Sequence, residues 1–178
     1  KADLQVVVAF RMLPEVVWSM PRFGTFNVHA ALLPQYRGAA PINWAVINGE
    51  TETGVTTFFL DKDIDTGRII KRKYFPIPDS ANVEYVYDGL MRLGAELAIE
   101  TIDLLCEKVA DDFDADKILS VMNEITEAQE ESPELRHAPK IFKETCEINW
   151  HQEAITIYNF VRGLSPYPGA WSKMVSLD

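Results

Sequence analysis

Short apolar runs of strand length alternate with helix-like patterns over the first hundred residues, and this order restricts the fold more than any other feature. Apart from Gln5, the first run is apolar, which is typical of a strand buried on both faces. The candidate strands are residues 4–10, 24–29, 54–60 and 68–75, and the candidate helices are residues 39–48 and 82–109. Alternation of this kind predicts an α/β fold with a mostly parallel sheet.

The second half of the chain has a different pattern. An acidic stretch with several prolines predicts a linker, with a short helix at residues 118–125. Helical spacing returns after Asn149, which we expect to cap that helix, and a further strand should start at residue 170. The predicted parts are residues 1–112, a linker at 113–147, and residues 148–178.

Composition excludes several classes of protein. The 178 residues carry a formal net charge of −10, which argues against an extended phosphate-binding surface within this stretch. No apolar run approaches the roughly 20 residues needed to cross a bilayer, so we expect no membrane partner. Cys106 and Cys146 are spaced neither as a disulfide framework nor as a metal site, which indicates a cytoplasmic setting and no metal. Because Lys1 leads almost directly into the first strand, we expect an internal fragment.

Three polar residues follow or end candidate strands. Asn27 and His29 are two residues apart, so their side chains leave the same face of a strand. Asp65 comes after the strand at 54–60, and catalytic groups in α/β folds gather beyond strand ends. An amide, an imidazole and a carboxylate can supply the oxyanion donor, the proton carrier and its orienting group for acyl transfer to an amine. Taken singly, each has a common structural explanation as a turn or core residue.

These residues lie in two long patterns that resemble the 10-formyltetrahydrofolate-dependent formyltransferase family. The segments that carry the resemblance are residues 27–29, 32–34, 37–42, 49–50, 53–56 and 65–67. The resemblance implies a catalytic triad of Asn27, His29 and Asp65, in which the first two face the formyl oxygen and Asp65 orients His29. The family usually has Ser where this chain has Ala31, a change that removes a hydrogen bond worth about 1 kcal/mol.

The same resemblance implies a site for 10-formyltetrahydrofolate, the formyl donor. The residues expected to line it are Phe10, Arg11, Met12, Leu13, Leu32, Leu33, Pro34, Leu60 and Asp61. For side chains of the first four, plain core packing is the alternative explanation. Backbone contacts to a ligand leave little trace in the identity of side chains.

The second half of the chain resembles the linker and the start of the C-terminal domain of methionyl-tRNA formyltransferases. The segments are residues 138–141, 143–144, 148–150, 162–166 and 168–171. This implies the C-terminal part of a Rossmann-like domain, a linker and the beginning of an OB-like barrel. The implied function is formylation of initiator methionyl-tRNA in translation initiation by a monomer, with the tRNA bound mostly outside this stretch. The alternatives are an amino-sugar-nucleotide N-formyltransferase, the hydrolase domain of formyltetrahydrofolate dehydrogenase, and a folate-binding module without catalysis.

Overall fold

A computed structural model describes residues 2–9, 12–109 and 115–174 of the chain. The strands are β1 (Gln5–Val7), β2 (Thr25–His29), β3 (Arg37–Gly38), β4 (Glu52–Phe59), β5 (Ile69–Pro76) and β6 (His137–Ala138). The α-helices are α1 (Glu15–Trp18), α2 (Pro41–Ile47), α3 (Val83–Val109), α4 (Ala115–Ile125) and α5 (Ala154–Gly163), and a 3-10 turn spans Lys143–Cys146. The predicted α/β class is confirmed, and the strands and helices predicted over the first hundred residues are present within a few residues of their expected bounds.

Four strands form one sheet in the order β1-β2-β4-β5. Strand β1 is parallel to β2, whereas β4 is antiparallel to both β2 and β5. The expected parallel pairing is therefore found at one position, and the sheet of the described residues is mixed. The loop at residues 60–68 explains the β4–β5 pairing, because a short loop joins antiparallel neighbours and a parallel pair needs a crossover of a dozen residues or more.

The first strand is less buried than its apolar sequence predicts. Val7 is 9% exposed, but Val6 is 40% and Val8 is 62% exposed. The expectation of burial on both faces is wrong for β1 in this structure. The physical reason is that β1 pairs only with β2 among the described strands, so its neighbours cover little of it.

Helix α3 fills one face of the sheet. Its Leu97 is fully buried, its Thr101 shares a 2.9 Å hydrogen bond with Thr57 of β4, and Gly94 lies against Val28 of β2. Since side chains alternate along a strand, Val28 faces α3 and the flanking Asn27 and His29 face the opposite side. The core thus lies under α3 and leaves the other face of β2 for polar residues.

The predicted linker is largely packed against the rest of the chain. Helix α4 confirms the short helix expected at residues 118–125. The following residues 126–138, which we call the strap, pair with the first half of the chain at both ends. At one end Glu127 bridges Ile69, and at the other β6 runs parallel to β3. The strap therefore crosses the two loops that follow β2 and β4.

Helix α5 confirms the helix predicted after Asn149, but Asn149 does not cap it. The N-cap is Glu153, and the Asn149 side chain instead accepts a 3.1 Å hydrogen bond from the His151 N–H in the preceding turn. Near the predicted last strand, the described residues contain only an isolated bridge between Trp171 and Glu147, and residues 175–178 lie outside the described part. No described helix has the length and apolar character needed to cross a membrane.

Candidate active site

Asn27 and His29 are held in the face of β2 opposite to α3. Their backbone partners on β4 are Phe58 and Thr56, respectively. Asn27 is 5% and His29 6% exposed, and the Phe58 ring meets the imidazole edge-on with 6.3 Å between centroids. The strand and the aromatic neighbour therefore fix both side chains in a largely water-excluded position.

The hydrogen bonds of His29 determine where it can exchange a proton. Nε2 lies 2.9 Å from the backbone oxygen of Tyr36, which can only accept, so Nε2 carries the hydrogen. Nδ1 faces Asp65 Oδ2 at 3.8 Å, which is within ion-pair range but longer than a hydrogen bond. A proton added to the imidazole would thus reside on Nδ1, opposite a carboxylate.

Asp65 lies in the loop between β4 and β5 with φ of +57°, a left-handed conformation that Asp adopts more readily than most residues. Its side chain is 11% exposed, and Oδ2 accepts a 2.9 Å hydrogen bond from the Gly38 backbone N–H. One oxygen of the carboxylate is therefore held by the loop after β2 and directed toward His29. The structure thus brings His29 and Asp65 together, and Asn27 lies two residues from His29 on the same face of β2.

The side-chain amide of Asn27 has an acceptor that is not used within the described part of the chain. Its Oδ1 is buried and has no hydrogen-bond partner among the described residues. A buried polar atom left unpaired costs about 1–3 kcal/mol, so native structures rarely retain one without a reason. The chemistry of this side chain fits a group that hydrogen-bonds a ligand.

The loop that carries Asp65 is shaped by its own side chains and by one glycine. Asp61 Oδ1 accepts hydrogen bonds from the Asp63 N–H (3.1 Å) and the Thr66 hydroxyl (2.7 Å). At Gly67 an added Cβ would lie 1.7 Å from the backbone oxygen of Phe59, so no other residue fits without moving the chain. These features fix the turn two residues from Asp65.

The predicted folate residues fall into different environments. Leu33 is 1% exposed in a cluster with Phe58 and Ile69, and Leu60 packs against that cluster. The Leu33 N–H donates to Thr56 Oγ1 and its carbonyl accepts from Arg72 Nε. Leu33 thus fixes its loop from within.

The other predicted folate residues are more accessible. Leu32 and Pro34 are half-buried, and Asp61 is exposed. Met12 is 70% exposed and Leu13 is half-buried, while Phe10 and Arg11 lie outside the described residues.

Ala31, which replaces the serine usual in the family, lies in the protein interior. Ala31 is fully buried, and its backbone oxygen accepts a 2.6 Å hydrogen bond from Thr56. A serine hydroxyl at this position would face packed protein, so the loss of the hydroxyl does not alter an exposed wall of the cleft. Among the described residues, no group of three or more His, Cys, Asp or Glu side chains is arranged to hold a metal ion.

A cavity of about 580 Å³ lies beside the loop that ends at Gly38. Ala39 and Ala40 line it from the first half of the chain, and Lys140, Lys143 and Trp171 line it from the second. Lys140 and Lys143 are the charged side chains that line it, in a chain with a net charge of −10. Asn27, His29 and Asp65 do not line this cavity, and the link to them is through Gly38, which precedes Ala39 and donates its N–H to Asp65.

Comparison with known proteins decides the family. Residues 1–102 match the family described as Formyl transferase, and residues 140–176 match the one described as Formyl transferase, C-terminal domain. This chain belongs to the formyl transferase family. The family resemblance predicted from the sequence is therefore confirmed.

The chain is similar to methionyl-tRNA formyltransferases of several bacteria. It is 60% identical over 178 residues to that of Parabacteroides distasonis, covering 100% of this chain and 52% of the relative. It is 61% identical over 176 residues to that of Bacteroides fragilis, covering 99% of this chain and 51% of the relative. It is 51% identical over 170 residues to that of Flavobacterium johnsoniae, covering 96% of this chain and 50% of the relative. The chain spans about half the length of these curated relatives.

Solved structures share the formyltransferase fold. HypX from Aquifex aeolicus in complex with tetrahydrofolic acid matches with a TM-score of 0.72 at 24% identity, covering 96% of this chain and 27% of that chain. A 4-N formyltransferase from Francisella tularensis matches with a TM-score of 0.67 at 22% identity, covering 96% of this chain and 65% of that chain. These likenesses support the predicted fold.

One residue of the candidate site was missed by sequence analysis. Gln129, in the strap, donates hydrogen bonds to the backbone oxygens of Asp65 and Gly67, both at 2.8 Å. It lies in a stretch predicted to be a linker, 64 positions from Asp65. No local pattern in the sequence indicates such a contact.

Proposed function

We propose that the protein containing this chain transfers a formyl group from 10-formyltetrahydrofolate to the amino group of initiator methionyl-tRNA in translation initiation. The observation that carries the proposal is the approach of His29 Nδ1 to Asp65 Oδ2 at 3.8 Å, with the buried Asn27 two residues away on the same face of β2. Further support comes from relatives of 51–61% identity, which are named methionyl-tRNA formyltransferase.

In this proposal each of the three residues has one chemical task. The acceptor nitrogen bonds to the formyl carbon, the bond from that carbon to the donor nitrogen breaks, and one proton moves from the acceptor nitrogen to the leaving nitrogen. The Asn27 amide donates to the formyl oxygen as negative charge develops there. His29 exchanges the proton at Nδ1, and Asp65 stabilises the imidazolium that results.

In this role Asn27 Nδ2 donates to the formyl oxygen, and the unpaired Oδ1 is free to accept a hydrogen bond from a ligand N–H. The folate donor would lie against accessible residues of the surrounding loops. We propose that the residues that contact it include Met12, Leu13, Leu32, Pro34, Leu60 and Asp61. Phe10, Arg11 and the buried Leu33 belong to the same predicted set, with Leu33 acting by shaping the loop.

We assign residues 1–112 to the catalytic domain, 113–147 to a connecting segment and 148–178 to the start of an OB-like domain. Lys140 and Lys143 in the cavity favour an anionic acceptor, because phosphate groups bind Lys and Arg side chains. Both methionyl-tRNA and an amino-sugar nucleotide meet that criterion, so the cavity alone does not choose between them. The names of the relatives favour the tRNA. We further propose that the protein is a monomer and acts in the cytoplasm.

The test is a formyl-transfer assay on the purified full-length protein with 10-formyltetrahydrofolate as donor. Methionyl-tRNA and an amino-sugar nucleotide would be offered in parallel reactions. We expect transfer to methionyl-tRNA and none to the sugar. Transfer to the sugar nucleotide alone would refute the tRNA assignment, and folate binding without any transfer would indicate a binding module.

A further inference from the structure

Gln129 connects the strap to the main chain on both sides of Thr66. Its Nε2 donates to the backbone oxygens of Asp65 and Gly67, each at 2.8 Å. An amide nitrogen has two hydrogens, so this side chain uses its full donor capacity on one turn. The turn is the one that presents the Asp65 carboxylate to His29.

Arg37 fixes the orientation of the Gln129 amide. Its Nε donates to Gln129 Oε1 at 3.0 Å, and its guanidinium also pairs with Glu131 at 2.6 Å. Because Arg37 only donates and the two turn carbonyls only accept, the amide fits in one of its two orientations. Arg37 is 7% exposed, so this contact is shielded from water.

The contacts form a closed ring. Gly38, the neighbour of Arg37, donates its backbone N–H to Asp65 Oδ2 at 2.9 Å. Arg37 binds Gln129, and Gln129 in turn binds the Asp65 main chain. The carboxylate and the backbone of Asp65 are therefore fixed from two directions, by the loop after β2 and by the strap.

The strap presents Gln129 on a well-anchored segment. On one side of it, Glu127 and Ile69 exchange two backbone hydrogen bonds of 2.8 and 2.9 Å. On the other side, Ala138 of β6 accepts from the N–H groups of Ala39 (2.7 Å) and Ala40 (3.1 Å). Since both ends pair with the catalytic half of the chain, Gln129 has a fixed point from which to hold the Asp65 turn.

We propose that Gln129 is a positioning residue for formyl transfer, which sets the place of the Asp65 carboxylate opposite His29. This inference rests on the proposed function. Asp65 has a left-handed backbone, and a rotation there would move Oδ2 away from Nδ1, which is already 3.8 Å distant. A misplacement of about 1 Å in a catalytic group can reduce a rate by about 10²-fold.

The test compares Gln129→Glu and Gln129→Ala in the full-length protein with a control in the same strap, Glu127→Gln. Gln129→Glu keeps the shape and the acceptor for Arg37 but places an oxygen against two carbonyls. We expect kcat to fall by about 10- to 100-fold for both Gln129 variants, with KM for 10-formyltetrahydrofolate close to that of the wild type. Glu127→Gln removes the ion pair between the exposed Glu127 side chain and Arg72. Because exposed ion pairs contribute little, this variant should leave kcat unchanged.

A double-mutant cycle separates positioning from a general structural effect. If Gln129 acts through Asp65, adding Gln129→Glu to Asp65→Asn should reduce kcat little further. Fully additive losses, or a kcat loss that appears only where the melting temperature also collapses, would overturn the proposal. Gln129→Ala serves the same cycle if Gln129→Glu does not fold.

The outcome also distinguishes the two proposals. If the wild type is active on methionyl-tRNA and the Gln129 variants are equally active, the positioning role alone fails. If the wild type formylates only a sugar nucleotide, the tRNA assignment fails, and the same cycle with that acceptor decides the role of Gln129. If it formylates nothing, both proposals fail.

Discussion

His29 Nδ1 lies 3.8 Å from Asp65 Oδ2, while His29 Nε2 donates a 2.9 Å hydrogen bond to the Tyr36 carbonyl oxygen. The two nitrogens therefore have separate tasks: one anchors the ring and the other faces the carboxylate. This division places the exchangeable proton between His29 and Asp65. It also ties the orientation of the imidazole to the loop after β2, on which Tyr36 lies.

Removal of the imidazole tests the proton-exchange role. His29→Ala should lower the single-turnover rate of formyl transfer by about 10²-fold or more, since general acid–base groups contribute on that scale. His151→Ala, which truncates an exposed histidine, is the matched control and should retain the wild-type rate. A His29→Ala variant as fast as this control would exclude the assigned role.

The unpaired amide oxygen of Asn27 gives a prediction with two readouts. Asn27→Ala should reduce turnover by about 10²-fold, the usual cost of losing one oxyanion donor. It also removes the buried oxygen that has no partner among the described residues, so we expect little fall in the melting temperature. A variant that is strongly destabilised but still active would assign Asn27 to folding instead of chemistry.

Gly67 should be sensitive to a single methyl group. Gly67→Ala would place Cβ 1.7 Å from the Phe59 carbonyl oxygen, and the resulting backbone shift should lower the free energy of unfolding by about 1–3 kcal/mol. The control is Gly94→Ala in α3, where the nearest atom is a Val28 methyl at 3.3 Å. Chemical denaturation measures both, and equal stability of Gly67→Ala and wild type would show that the turn adapts freely.

The ion pairs of Glu100 give a pH-dependent stability. Lys71 and Lys73 donate to its carboxylate at 2.8 and 2.5 Å and lower the pKa of Glu100 from 4.5 to about 2. The folded state thus favours the charged form, so the contribution is complete above pH 4.5 and is lost as the pH falls toward 2.

Thermal unfolding of Glu100→Gln should show a lower melting temperature than wild type at neutral pH. The difference should narrow below pH 4.5 and shrink with added salt, because these side chains are partly exposed. Glu107→Gln, on the same helix, is the control. A difference that stays constant from pH 7 to pH 3 would contradict the linkage.

The main elements could be predicted because their apolar spacing is regular. The long helix α3 buries Val86, Leu90 and Leu97 at helical intervals, and the period of two places Asn27 and His29 on one face. The approach of Asp65 to His29 was expected from the family resemblance. Spacing alone does not reveal it, since Asp65 lies on a different loop.

Other features left no pattern in the sequence. Strands β3 and β6 have two residues each and pair through backbone groups across a long separation, so no hydrophobic period identifies them. The exposure of Val8 depends on which strands cover β1 and not on its own apolar character. Gln129 acts on the Asp65 turn from a stretch whose acidic and proline-rich composition indicates a linker.

The most direct test of the account is the single-turnover rate of formyl transfer to methionyl-tRNA by the Asp65→Asn variant of the full-length protein, measured with its dissociation constant for folate. Asn keeps the shape of the side chain but cannot carry the negative charge that faces His29 Nδ1. The account predicts a rate reduced by about 10²-fold or more, with a much smaller change in folate binding. A rate near that of the wild type would contradict it.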